Sequence, residues 1–335
     1  MEPGLYVLAP LGIAECNLSE PISLIGPVQL VPFDATWRRH AQQFLEGFEN
    51  PSVTHIGETK AEKLERTKYC LLRRFSDFGG WKWPDEVVYD DTHRHVEDDS
   101  RGRVWPNLPL RKEWVWSLGL LAIAGRAHFG CSPTWLGFQF PTSQEAPSCR
   151  GARDVRWIGR VRAAEEPERA DTEFWARVES MACSLRPVPQ SSPLGIAVAM
   201  FSRAVAADDW RVEMLWLWIT LEALFGRVDG ELTHQLCERA AAFTQPASDS
   251  RLNTYRTLKR AYGYRCDLVH GRLGDIGEDQ MKGLVDSVAF VEQTCRDALQ
   301  RVLLCDKETE RFAQKADPRE YFEKKVLAPD LTDQS

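Results

Sequence analysis

Arg265 and His270 stand in one short segment, Tyr262-Gly-Tyr-Arg265-Cys-Asp-Leu-Val-His270-Gly271. Arginine is a permanent cation whose planar fork matches a phosphate, and histidine is the side chain that titrates nearest neutral pH. Together they supply what acid–base work on a phosphate ester requires, a proton carrier and fixed positive charge on crowded oxygens. Taken alone, Arg-x4-His is a common spacing. It also carries a geometric tension, because five residues of helix rotate by about 140° beyond a full turn, so the two side chains would not share a face. Either the helix distorts near Gly271, or each side chain meets the phosphate beside its counterpart from a second protomer. Gly271 suits the position just past a helix end, which would set His270 at the negative end of a helix dipole, where cations are favoured.

Other chemistry-bearing residues carry weaker readings. Glu222 lies within an almost wholly apolar run and is costly there unless partnered; His270, Arg265 of a second protomer and Arg239 are the candidate partners. Cys266 and Asp267 read as surface or interface positions, and Tyr262 and Tyr264 as packing residues. His93 and His95, flanked by Asp90, Asp91, Asp98 and Asp99, lie in a polar stretch without a recognised ligand spacing, so a solvated acidic loop is expected there. There is no Gly-rich phosphate loop, GxSxG elbow or HExxH motif. Neither a metal nor a cofactor is expected.

The chain of 335 residues is long enough for one large domain or two ordinary ones. Its 43% hydrophobic and 27% charged residues belong to a globular protein rather than a disordered one. The start, MEPGLYVLAPLG, lacks the pattern of a signal peptide. The most apolar window, Leu118 to Ala124, is too short to span a bilayer. Nine cysteines without a CxxC pair read as reduced, buried thiols, and the expected location is the cytoplasm, with no membrane partner. A net charge of −7 argues against a protein that coats nucleic acid non-specifically. Arg251, Arg256, Lys259, Arg260, Arg265 and Arg272 nevertheless face one acid, Asp267, between residues 251 and 272, a local charge of +5. Such a segment either meets a polyanion at one place or is balanced by acids elsewhere in space.

These residues must be positioned by a fold that changes character near residue 165. Upstream, Leu5–Leu8 and Ile22–Val31 read as strands, the second broken at Gly26-Pro27. Thr36–Phe48, Ala61–Phe75 and Trp114–His128 have helical spacing. Trp81–Pro109 reads as loops with a hairpin, and Ser143–Arg162 as irregular. Residues 1–165 are thus expected to form an α+β domain. Downstream, Glu173–Leu185, Leu194–Ala207, Trp210–Gly226, Glu231–Phe243, Arg251–His270 and Glu278–Leu304 all carry apolar residues at helical spacing. Their ends are punctuated by Pro187, Pro193, Asp208-Asp209, Gly226, Gly230, Pro246, Gly271 and Gly274. Residues 166–335 are expected to form an all-α bundle with 210–226, apolar almost all round, as its central element.

Three of these helices carry a further likeness. Leu217-Trp-Ile-Thr-Leu-Glu222-Ala-Leu-Phe225, then Glu231-Leu-Thr-His-Gln-Leu-Cys-Glu-Arg239-Ala, then Tyr-x2-Arg265-x4-His270-Gly, resemble in order the "LExLF", "ELxxxLxxRxA" and "YxxRSxxVHG" helices of the ApeA-like branch of the HEPN family. The resemblance spans roughly residues 195 to 305, and Cys266 stands where that branch usually has Ser or Asn. It implies a metal-independent endoribonuclease that dimerises through the bundle so that two Arg–His motifs face each other. Arg265 and His270 would be catalytic, and Glu222 matches the acidic position. RNA would then be cut through its own 2′-hydroxyl, which needs a base, an acid and positive charge on the phosphate. The branch further implies defence against phage by abortive infection, transfer RNA being a target class. The N-terminal domain would sense a phage-derived trigger or select substrate. Two other readings stand beside this one: a catalytically inactive HEPN-like RNA-binding or dimerisation module, and the toxin of a toxin–antitoxin pair.

Overall fold

The computed structural model describes residues 4–13, 21–25, 28–32, 69–75, 107–125, 129–131, 134–140, 148–154, 171–207, 209–226, 232–272, 278–314 and 319–327. These residues are mostly helical and include one antiparallel sheet. The expected helix Thr36–Phe48 and the histidines His93 and His95 lie outside them.

The sheet is built from β1 (Gly4–Ile13), β2 (Ile22–Ser23), β3 (Val28–Pro32), β4 (Tyr69–Phe75), β5 (Phe129–Cys131), β6 (Thr134–Phe140) and β7 (Ser148–Asp154). Its order is β2-β3-β4-β1-β6-β7, with β5 also paired to β1. The expected break at Gly26-Pro27 falls between β2 and β3, which pair antiparallel with Ile22 opposite Leu30. Two expectations are corrected. Ala61–Phe75 does not end as a helix: Tyr69–Phe75 is a strand held on both sides, by β1 and by β3. Ser143–Arg162 is not irregular throughout, since Ser148–Asp154 pairs with β6 across a register shift at Gly137 and Phe138.

The helices are α1 (Asn107–Ala124), α2 (Thr172–Leu185), α3 (Pro193–Val205), α4 (Trp210–Phe225), α5 (Leu232–Thr244), α6 (Ser248–Val269), α7 (Glu278–Leu303), α8 (Asp306–Ala313) and α9 (Arg319–Leu327). Three begin on side-chain caps that meet otherwise orphaned N–H groups. Asp171 accepts from Phe174 N at 3.0 Å, Ser192 from Gly195 N at 3.0 Å ahead of Pro193, and Asp209 from Arg211 N at 2.8 Å.

Helix α1 precedes the boundary expected at residue 165, yet it packs into the same core against α2, α3 and α7. At its crossing with α3, a side chain on Gly119 would collide with Ser202 Oγ. Its last carbonyls are met from α7: Arg296 Nε donates to Ala122 O at 2.9 Å and Gln300 Nε2 to Ile123 O at 2.6 Å. The β2–β3 hairpin joins this core through Leu24, Val28 and Leu30. Arg186, just after α2, fastens it by donating to Leu24 O at 2.9 Å and Ser23 O at 2.8 Å.

Helix α4 touches α3, α5, α6 and α7, and so sits at the centre of the bundle. It is not buried all round. Met214, Leu217, Trp218, Leu221, Leu224 and Phe225 are buried, whereas Val212 is 42% exposed and Leu215, Trp216 and Ile219 are half-buried. Beyond the foreseen helices, short α8 and α9 each bring one buried phenylalanine, Phe312 and Phe322, edge-on to Phe225 and Phe243. Of the cysteines whose surroundings are described, Cys237 and Cys295 are buried, Cys266 is half-buried, and Cys183 and Cys305 are exposed, so burial holds for only part of the set.

Because Leu221 is completely buried between packed helices, Leu221→Ala should cost about 2–5 kcal/mol through lost transfer energy and the cavity left behind. Urea unfolding checks it. A variant within experimental error of wild type would mean that α4 is not the core element described.

Candidate functional site

Helix α6 runs regularly from Ser248 to Val269 and stops on a tight cap. Gly271 adopts φ +64°, the left-handed conformation that favours glycine. Gly271 N donates to Leu268 O at 3.2 Å and Arg272 N to Asp267 O at 2.7 Å. These crossed bonds are a Schellman cap, with glycine just past the helix end. His270 is the last residue before that glycine, and it is exposed.

One and a half turns earlier, Arg265 points the other way. Its Nη2 lies 3.5 Å from Glu222 Oε1 on α4, forming an ion pair in which the two side chains are 25% and 28% exposed. The guanidinium also sits over the Tyr262 ring, 5.3 Å from its centroid. Tyr262 in turn stands edge-on to the buried Trp218, at 4.9 Å. Glu222 engages one guanidinium nitrogen, and the buried Nε meets no acceptor among the described residues. The structure thus brings Glu222 and Arg265 together within one chain. It does not bring His270 to them from the same helix, since that helix keeps its regular turn as far as Val269.

Glu222 meets none of the partners expected for it, but Arg265 of its own chain. Arg239 is buried, donates to Phe225 O at 3.1 Å and lies over Phe322. Tyr262 and Tyr264 are half-buried packing residues, and Cys266 and Asp267 are half-buried on α6. A contact between α5 and α6 that was not foreseen is His234 Nδ1 with the Tyr255 hydroxyl, at 2.7 Å. Those residues lie 21 positions apart, and no spacing rule links them. No cluster of three or more His, Cys, Asp or Glu able to hold a metal is found among the described residues. No helix among them is long and apolar enough to cross a membrane.

Burial pushes the Glu222 carboxyl above its ordinary value, and the nearby Arg265 charge pulls back only part of the shift. The folded chain therefore keeps this proton to higher pH than the unfolded chain does. Stability falls as pH rises from about 4.5, the unfolded value, through the folded one, and the loss is complete above it. Glu222→Gln has no such proton to lose. Its stability relative to wild type should rise with pH upward from about 4.5 and then level off. Paired denaturant titrations across that range read the difference, and a pH-independent gap would contradict a desolvated carboxyl at this position.

Comparison of the chain with models of known protein families, with curated proteins and with solved structures finds no match.

Proposed function

We propose that the chain is a metal-independent endoribonuclease of the HEPN kind, acting as a homodimer. The observation that supports this most is the meeting of two motif helices: Glu222 pairs with Arg265 across 43 residues of chain and occupies one arm of its fork. An arginine steadied on one side, with donors left over, is suited to hold a phosphate.

In this reading the 2′-hydroxyl oxygen of RNA attacks the adjacent phosphorus. Its proton passes to a base, the P–O5′ bond breaks, and the leaving oxygen takes a proton from an acid. The products are a 2′,3′-cyclic phosphate and a 5′-hydroxyl. Arg265 offsets charge on the non-bridging oxygens, and two histidines, one from each protomer, serve as base and acid. Glu222 acts through Arg265 as a positioning residue.

The homodimer also has support in the fold. Val212, Leu215, Trp216 and Ile219 share one incompletely covered face of α4, the helix that carries Glu222. A second copy covering this face would bring a second Arg265 and His270 near the first pair. The wider role proposed is abortive infection: cleavage of RNA, transfer RNA among it, in phage-infected bacterial cytoplasm, with the sheet-bearing N-terminal part receiving the trigger.

Wild type, Arg265→Ala and His270→Ala should be expressed in a bacterial host with and without phage, and RNA ends sequenced. New cyclic-phosphate ends are expected from wild type, reduced at least about a hundredfold by either substitution. Identical ends from all three folded proteins would sink the ribonuclease reading. Mixing wild type with His270→Ala tests the shared site, since a heterodimer then lacks one of the two histidines that serve as base and acid. Cleavage is expected to fall more steeply than the wild-type share of the chains. Cleavage in proportion to that share would put base and acid within one protomer.

A further inference from the structure

The six basic residues of 251–272 separate into groups once their surroundings are known. Arg251 donates to Gln245 O at 2.8 Å and to Pro246 O at 2.9 Å, closing the end of α5. Arg265 turns inward to Glu222. The Arg272 backbone completes the α6 cap. Arg256, Lys259 and Arg260 remain, all exposed. Arg256, Lys259 and Arg260 make no ion pair or side-chain hydrogen bond with any described residue; Lys259 has its Nζ over the Tyr255 ring, 5.8 Å from the centroid, and its charge acts on the buried Cys237 thiol. No acid among the described residues closes an ion pair with any of the three.

Their arrangement along α6 is ordered. Helical rotation puts Arg256, Lys259, Gly263 and His270 within about 30° of a common line on the helix surface, over a length of about 20 Å, with Arg260 on its flank. Two acids lie beside the line near its ends: Asp249, exposed in the first turn, and Asp267, half-buried. Gly263 falls between the cations and His270. It is exposed, and a side chain built there would meet nothing within 4 Å. A glycine in mid-helix lowers helix stability, and here it bares the backbone at the one step where a strand crossing from Lys259 to His270 would lie closest.

We propose that Arg256, Lys259 and Arg260 form the backbone-binding track for a single-stranded RNA, which passes Gly263 and presents its reacting phosphate at His270. This rests on the ribonuclease reading of Arg265 and His270 and names where their substrate is held. Phosphate contacts of this kind fix register without reading sequence. On a chain of net charge −7, a ridge on one helix face gives a polyanion a defined place to be held. A single strand fits better than a duplex, because the 2′-hydroxyl must swing into line with the bond it breaks, and that requires a backbone free of helical stacking.

The test uses the full chain and a fluorescein-labelled, mixed-sequence 2′-O-methyl RNA strand, which binds without being cut. Its Kd is measured by anisotropy over a range of salt. Each phosphate contact on a single strand contributes about 0.7 to the slope of log K against log salt. Arg256→Gln/Lys259→Gln/Arg260→Gln should therefore flatten the slope by about 2 and weaken binding at low salt at least about tenfold. Arg256→Lys/Arg260→Lys should retain both. Neutralising exposed cations on α8, Lys307→Gln/Arg311→Gln, should leave the slope near wild type. The proposal is overturned if the ridge and control variants lose affinity equally, if the ridge variant binds as wild type does, or if wild type does not bind the strand. A parallel assay on unmodified RNA separates the two readings. Weakened binding by the ridge variant, with cleavage identical in wild type and His270→Ala, would keep the track and remove the nuclease. Cleavage lost in His270→Ala, with binding unchanged in the ridge variant, would do the reverse.

Discussion

A carboxylate on a largely apolar helix has to be met by a cation, and the answer given to Glu222 organises what lies around it. Helix α4 is central and largely apolar, so a charge there loses solvation that its surroundings do not replace. Arg265 restores part of that loss from α6. An inward Arg265 fixes the rotation of α6 about its own axis. The same rotation sends Leu258 and Ala261 into the core, sets Tyr262 against Trp218, and turns Arg256, Lys259, Arg260 and Gly263 to the outside. The inner and outer faces of α6 are two consequences of one helix rotation, which the burial of Leu258 and Ala261 shares with the Glu222–Arg265 pair. A half-exposed ion pair adds only modestly to stability.

The C-terminal half was legible in the sequence because its signals are local. Apolar residues recur at helical spacing, and Asp171, Ser192-Pro193, Asp209 and Gly271 mark where helices start or stop. The six expected segments match α2 to α7 to within a few residues. Helices α8 and α9 were not read because each is short and highly charged, with one phenylalanine holding it to the core. The sheet was harder still. Tyr69–Phe75 reads as the end of a helical pattern, yet becomes a strand by pairing with β1 and β3, partners more than thirty residues away in sequence. Strand preference depends on cross-strand neighbours more than on the residue itself. Ser148–Asp154 lacks alternation and contains a glycine, and only its pairing with β6 makes it a strand.

The candidate site divides along the same line. Arg265, His270 and Glu222 were identifiable as residues, and Gly271 as a helix stop, because each belongs to a short local pattern. Which residue Glu222 meets was open among His270, Arg239 and the Arg265 of a second protomer. The contact found, with Arg265 of its own chain, depends on how α4 and α6 cross, and crossing angles come from the packing of whole ridges of side chains. Likewise the +5 segment could be counted from the sequence, but not divided. Its division into anchored, inward and outward cations is a property of the folded helix.

The regular course of α6 constrains any chemistry that uses both Arg265 and His270. A helix unbroken to Val269 leaves the two about 140° apart in rotation, and the cap at Gly271 ends the helix without folding His270 back toward Arg265. The escape by local distortion is therefore closed over Arg265–Val269, and convergence on one phosphate would require a second helix. A twofold axis supplies one, since a symmetric interface presents the same surface twice and lets residue i of one copy meet residue j of the other. Under that symmetry, two histidines and two arginines would share a phosphate site that neither protomer completes alone. Activity would then follow the concentration of dimer rather than of chain. In the nuclease proposed for this chain, assembly would itself be a means of restraint.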